Sequence, residues 1–265
     1  MGREGGFLEE IRPEIHEFLV MRAKEEGGFA ATPRLPATVE DTYFALRTWE
    51  LLFPPSGKVL SSVRLFLEHT PPPPQLPALR RWLWLADRTG ILSREEVQVR
   101  ARRILLGRRR PLSRDPEVRA AYYFCVRRLG LDGVLPQAPA RPALRTLRDL
   151  YRWSEMFPES LDAERLSWVL ASRNPDGGFG FRPGTTSFLE NTYFALRVLE
   201  RSGRFLADPD PTLRFIRMCY RRGGFARAPG GIPFLESTYY GVYLLARRPA
   251  LPEKVGSDPV FEERK

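Results

Sequence analysis

Apolar residues recur along this chain in two alternating styles. In Ser93–Leu106, Val97, Ile104 and Leu105 stand among Arg and Glu, the spacing of an amphipathic helix with one face turned inward. In Thr192–Leu199 and Thr238–Leu245 the residues are apolar nearly all round, which predicts a helix buried on most sides. Charged helices alternating with apolar ones describe outer and inner layers of helix pairs. The expected fold class is all-α, with about five to six such pairs, and periodicity alone permits a ring or an open solenoid. One repeat domain should span residues 1–250, and a polar, patternless tail should follow over 251–265.

Internal repetition supports the pairing. Gly27-Gly28-Phe29 leads to Glu40-Asp41-Thr42-Tyr43-Phe44-Ala45-Leu46. Gly177-Gly178-Phe179 leads to Glu190-Asn191-Thr192-Tyr193-Phe194-Ala195-Leu196. Gly223-Gly224-Phe225 leads to Glu236-Ser237-Thr238-Tyr239-Tyr240-Gly241-Val242. In each, the first Gly lies 15 positions before the Thr. A decayed copy runs from Gly107 to Tyr122-Tyr123-Phe124-Cys125-Val126. Two shorter echoes pair Leu83–Gly90 with Leu196–Gly203, and Pro77–Arg80 with Pro142–Arg145.

The loop residues fit this scheme. The paired glycines follow the first helix of their units, where positive φ ends a helix, and the next Phe can tuck between layers. Ser187 and Glu190 read as a capping box for the inner helix, and Pro233 suits the first turn of the last one. Glu40, Glu190 and Glu236 would each favour the dipole at a helix start. Pro71–Pro74 is a stiff connector in place of a glycine loop. Residues Leu131–Arg141 are short and Pro-rich for a full outer helix, so the ring is expected to be irregular there.

Charge and composition narrow the functions. The chain of 265 residues carries a net charge of +10, almost all of it from Arg. Guanidinium groups suit phosphate ligands, although the same surplus also arises without any ligand. No run of 18 apolar residues is present, the start has no signal-peptide pattern, and Cys125 and Cys219 form no disulfide framework. A cytoplasmic protein is expected. The basic run Arg100–Arg110 is best read as a solvated helix and loop. No nucleic-acid motif accompanies it, so no nucleic-acid partner is expected.

The Gly-Gly-Phe…Glu-x-Thr-Tyr pattern resembles the β subunits of protein prenyltransferases and, more distantly, squalene and other class II terpene cyclases. Asp176-Gly177-Gly178-Phe179-Gly180-Phe181-Arg182-Pro183-Gly184 is similar to that superfamily's D-G-G-F-x-x-R-P-G loop. The resemblance spans about residues 13–248 and implies a closed α/α toroid around an aromatic-lined cavity for isoprenoid chains. It also implies a helical protein partner, since the family's β subunits work beside one.

The departures from the family carry equal weight. Its zinc ligands are Asp, Cys and His, and the matching positions are Glu190, Thr192 and Glu236. Thr is a poor zinc ligand, and His16 and His69 sit on or beside outer helices. No metal and no cofactor are therefore expected. The cyclase acid motif has only Asp208-Pro209-Asp210-Pro211-Thr212 as a counterpart, better read as a helix start.

Arg182, with Arg34 and Arg227 on equivalent loops, is expected to meet the anionic end of an isoprenoid diphosphate or other lipid-like molecule. Surface pairing with Glu40, Glu190 and Glu236 explains the same arginines without a ligand. Glu190, Glu236, Tyr43, Tyr193 and Tyr239 complete the candidate ligand site at one end of the cavity, and each also has a structural explanation as a cap or as packing. A non-catalytic toroid serving as a protein-interaction or lipid-binding module is the alternative, and a divergent cyclase relative ranks third.

Overall fold

The computed structural model describes residues 6–54, 57–107, 114–131, 133, 145–248 and 250–251. Among them are eleven α-helices: α1 (Gly6–Val20), α2 (Val39–Leu52), α3 (Gly57–His69), α4 (Leu76–Arg88), α5 (Glu95–Leu106), α6 (Pro116–Arg128), α7 (Leu147–Met156), α8 (Ala163–Ala171), α9 (Leu189–Arg201), α10 (Asp210–Met218) and α11 (Leu235–Arg247). Between α10 and α11 a two-residue antiparallel ribbon joins β1 (Tyr220–Arg221) to β2 (Gly224–Phe225).

The apolar helices form a closed inner circle. α2 packs on α4, α4 on α6, α6 on α7, α7 on α9, α9 on α11, and α11 returns to α2. α1, α3, α5, α8 and α10 each pack outside the inner helix that follows them in the chain, and α1 also touches α11. The chain is thus an all-α toroid. The expected irregularity at Leu131–Arg141 does not open the inner circle, because α6 meets α7 directly. Most of that segment, Pro142–Leu144 and the tail from 252 onward lie outside the described residues. Ala250 and Leu251 are buried, and the Ala250 carbonyl accepts from the Leu206 N–H at 3.0 Å.

The repeated Gly-Gly-Phe and Thr turn out to be two halves of one joint. Phe29, Phe179 and Phe225 are buried between the layers. The N–H of each donates to the hydroxyl of Thr42, Thr192 or Thr238, at 3.0 Å in all three units. The bond ties the loop to the inner helix and satisfies a buried N–H that would otherwise be costly. The glycines serve the same joint. Gly177 has φ near 88°, and a Cβ there would stand 2.2 Å from the Pro211 carbonyl on α10. The outer helix therefore sits directly on the loop backbone.

Two details differ from the sequence expectation. Ser187 and Glu190 form no capping box: α9 starts after Phe188 without a side-chain cap. The Ser187 hydroxyl instead donates to Asp176 and accepts from the Asn174 amide, each at 2.8 Å. Pro233 stands before α11, whose N-cap is Phe234, so it holds no helical position.

Candidate functional site

Tyr43, Tyr193 and Tyr239 each sit four residues from the start of an inner helix, just after the joint Thr, and so reach the same level of the ring. The structure brings them together at its centre. The Tyr193 and Tyr239 hydroxyls are 3.4 Å apart, Tyr193 stacks on Tyr240 with centroids at 4.5 Å, and Tyr151 of α7 stacks on Phe194 at 5.0 Å. Burial pushes the Tyr193, Tyr239 and Tyr240 hydroxyls above their usual titration range, so they stay protonated and able to donate.

Arginines share this centre. Arg47, one turn beyond Tyr43 on α2, donates to the Tyr43 hydroxyl at 2.7 Å and lies 4.5 Å from the centroid of the Tyr239 ring. It forms no ion pair among the described residues. Arg197 holds the equivalent place on α9 and bonds to the Tyr243 hydroxyl and Glu200. Across the ring, Glu155 of α7 takes both Arg80 nitrogens of α4 at 2.9 and 2.7 Å, Arg152 at 3.0 Å and Arg201 at 3.7 Å. Burial alone would raise the Glu155 carboxyl, but these guanidiniums hold it well below the usual carboxylate range. Glu117 pairs with Arg148 and Arg152.

The space left between these side chains is small. The cavity bounded by Tyr43, Arg47, Arg80, Tyr151, Tyr193 and Tyr239 measures about 40 Å³. That is room for a few waters or a small polar group, far below the roughly 300–1,000 Å³ of ordinary ligand pockets.

Of the other expected residues, Arg34, Arg182, Arg227 and Glu190 stay near the inner-helix N-termini and do not border this centre, whereas Glu236 touches it through Tyr240. Arg34 and Arg182 are exposed on their loops, with the Arg182 guanidinium 5.4 Å from the Phe181 ring. Arg227 pairs with Glu190 at 2.6 Å, one of the surface pairings foreseen, and Glu40 pairs with Arg81 at 2.9 Å. Glu236 accepts from the Tyr240 hydroxyl at 2.7 Å. Burial raises its carboxyl, with the like charges of Glu40 and Glu190 adding to the effect against that bond and Arg81.

Among the described residues no three His, Cys, Asp or Glu side chains gather as a metal site. Asp208–Thr212 lies at the start of outer helix α10, where the Thr212 hydroxyl donates to the Gly177 carbonyl at 2.7 Å. His16 belongs to α1 and His69 ends α3. No helix among the described residues is long and apolar enough to cross a membrane.

Sequence reading missed Arg47, Arg80, Arg152, Arg197 and Glu155. One signal was present for Arg47 and Arg197: each follows its Tyr by four residues, which places both on one helix face. Nothing local marked Arg80 and Glu155, which are 75 residues apart.

A family model described as the prenyltransferase alpha-alpha toroid domain matches residues 3–83 and 142–231, well over half of the chain. The unmatched stretch between them holds the decayed copy of the repeat. No curated protein matches.

Proposed function

Because the chain belongs to the prenyltransferase alpha-alpha toroid family, we propose that it binds an isoprenoid diphosphate, or a related phosphate-bearing lipid, by its anionic end at the tyrosine–arginine centre of the ring. The observation that carries this reading is Arg47, a guanidinium inside the ring with a tyrosine hydroxyl but, among the described residues, no carboxylate for a partner. A charge withdrawn from water needs a counter-charge, and a phosphate group facing Arg47 and the neighbouring tyrosine hydroxyls supplies one with charge-assisted hydrogen bonds. A prenyl chain does not fit in about 40 Å³, so binding of the whole molecule requires the tyrosine layer to part.

The reading involves no zinc. The Thr192 hydroxyl is engaged by the Phe179 N–H and Glu190 is paired with Arg227, so the positions that match the family's metal ligands have other bonds to make. Any transfer at this centre would rest on stabilising the charge of the departing diphosphate. The second reading is a non-catalytic toroid that works through its outer surfaces, as a protein-interaction or lipid-binding module, and the closely filled centre favours it.

Thermal denaturation with isoprenoid diphosphates, inorganic pyrophosphate and neutral prenols separates the two. A ligand present at 100 times its dissociation constant adds about 2.7 kcal/mol of stability. The first reading expects such a shift with the diphosphates, its loss in Arg47→Gln, and its retention in Arg182→Ala. If no anion shifts the folded protein, the second reading stands.

A further inference from the structure

Each glycine loop joins the C-terminal end of an outer helix to the N-terminal end of an inner one, so the loops 21–38, 172–188 and 219–234 all stand at one end of the ring. They are also tied to their neighbours. The Leu189 N–H of α9 donates to the Arg227 carbonyl of the next loop, and the Leu147 N–H of α7 donates to the Phe181 carbonyl, each at 2.8 Å.

This end carries most of the apolar surface that the ring leaves uncovered. Among the described residues twelve large apolar side chains are exposed, and eight of them belong to these three units. Leu35, Phe181, Ile232 and Phe234 stand on the loops, with Ile232 74% and Phe234 53% exposed. The ends of α1, α8 and α10 add Val20, Met21, Leu170 and Met218. Among the described residues, the opposite end of the ring has only Phe205.

The repeat itself does not force this exposure, as Phe234 shows. It is the N-cap of α11, a position that ordinarily takes Ser, Thr, Asp or Asn. Its counterpart Phe188, the N-cap of α9, lies under Arg227, whose guanidinium is 4.3 Å from the ring centroid. The residue of the first unit that matches Arg227 is Ala31, too short to cover Phe234 in the same way. The bare tip is also held in place. The Gly231 N–H donates to the Ala228 carbonyl at 3.1 Å, and the Arg221 guanidinium donates to the Gly230 carbonyl at 3.0 Å. An apolar tip on a fixed backbone loses little freedom when it binds.

Charge at this end selects the partner. The three loops hold eight Arg or Lys against three Asp or Glu. Arg34, Arg182 and Arg222 are exposed and form no ion pair among the described residues. The Glu residues at the inner-helix starts are engaged: Glu40 by Arg81, Glu190 by Arg227 and Glu236 by Tyr240. Two copies meeting by this end would set like charges together. Apolar tips among arginines instead match a bilayer whose acyl chains lie beneath an anionic headgroup layer.

We infer that this end of the ring docks on the surface of an anionic membrane. Ile232, Phe234, Phe181 and Leu35 enter the boundary between headgroups and acyl chains, and Arg34, Arg182 and Arg222 meet the headgroup anions. The docking does not depend on what the centre binds.

Co-sedimentation of the full chain with vesicles tests this, comparing phosphatidylcholine alone with a phosphatidylcholine–phosphatidylserine mixture. The mixed vesicles should bind more tightly, and added salt should weaken that binding without abolishing it. Ile232→Ser combined with Phe234→Ser should weaken it by roughly tenfold or more. Arg34→Ala and Arg182→Ala should each weaken it by roughly fivefold. Phe205→Ser and Arg204→Ala, the same kinds of change at the opposite end, should leave it unchanged. Phe234→Ser supplies a good N-cap residue, and thermal melts check that the double variant folds; Arg34→Ala with Arg182→Ala decides the matter if it does not. Absence of binding to the mixed vesicles overturns the inference. So does wild-type binding by the Ile232→Ser, Phe234→Ser variant, which would reduce the effect to adsorption by net charge, and so does an equal loss in Phe205→Ser. A dimer in gel filtration that Ile232→Ser breaks would make a second copy the occupant and overturn it as well.

Discussion

The side of the ring made by α9, α11 and α2 and the side made by α4, α6 and α7 are built differently. The first repeats one joint three times, a buried Phe N–H on a Thr hydroxyl at the same 3.0 Å, and fills its interior with stacked tyrosines. The second has lost the glycine loops and is bound by charge, with Glu155 of α7 gathering Arg80 of α4 and Arg152 of α7 and reaching Arg201 of the neighbouring α9. A residue present in every unit holds the unit together. Where the repeat decays, the positions become free to carry charge and to leave space, and a cavity of about 520 Å³ lies mainly on that side, lined by α4, α6 and α7 with Arg201 of α9 at its edge.

The sharpest way to break this contrast is Glu155→Gln. It leaves three enclosed guanidiniums without their shared carboxylate, and removing one member of a buried ion cluster costs about 3–5 kcal/mol. Urea denaturation should show this loss, and a loss under about 1 kcal/mol, the value of an exposed pair, would dissolve the distinction between the two sides. The difference should also depend on acid. The folded carboxyl titrates below its unfolded value, so its stabilisation is complete above pH ~4.3 and declines as pH falls further toward the folded value. The gap between wild type and Glu155→Gln should hold constant from pH 6 to 8 and narrow only on acidification below about pH 4.

On the repeated side, Thr192→Val keeps the shape and removes the acceptor of the Phe179 N–H. An unsatisfied buried N–H costs about 1–3 kcal/mol. Thr42→Val and Thr238→Val should cost the same within error in thermal melts. Unequal losses would mean that the three joints are alike in geometry only. The smallest effect belongs to the rim: Arg34→Ala and Arg182→Ala change exposed side chains and should stay within about 0.5 kcal/mol of wild type.

The sequence revealed most where a physical cause was local and repeated. The alternation of charged and apolar helices is a face-by-face record of burial, and the fixed offset from Gly to Thr records a bond between two loop ends. Tyr43, Tyr193 and Tyr239 were legible for the same reason. Closure of the circle was not, since the contact of α11 with α2 leaves no periodic trace and had to come from family resemblance. Ser187 shows the limit of a motif: the S-x-x-E spacing is present, but Asp176 and Asn174 lie in the same loop and outcompete the helix for its hydroxyl. The arginines differ in the same way: Arg182 stood out by its loop motif, whereas the surroundings of Arg47 and Arg80 depend on what the fold sets opposite them.

The return of α11 to α2 has a consequence for how the molecule comes apart. In an open stack of repeats the last unit has a single neighbour and frays first. Here each inner helix among the described residues is flanked on both sides, and expelling any one breaks two interfaces together. Disorder gains no foothold at an end, so the circle holds or fails as a whole.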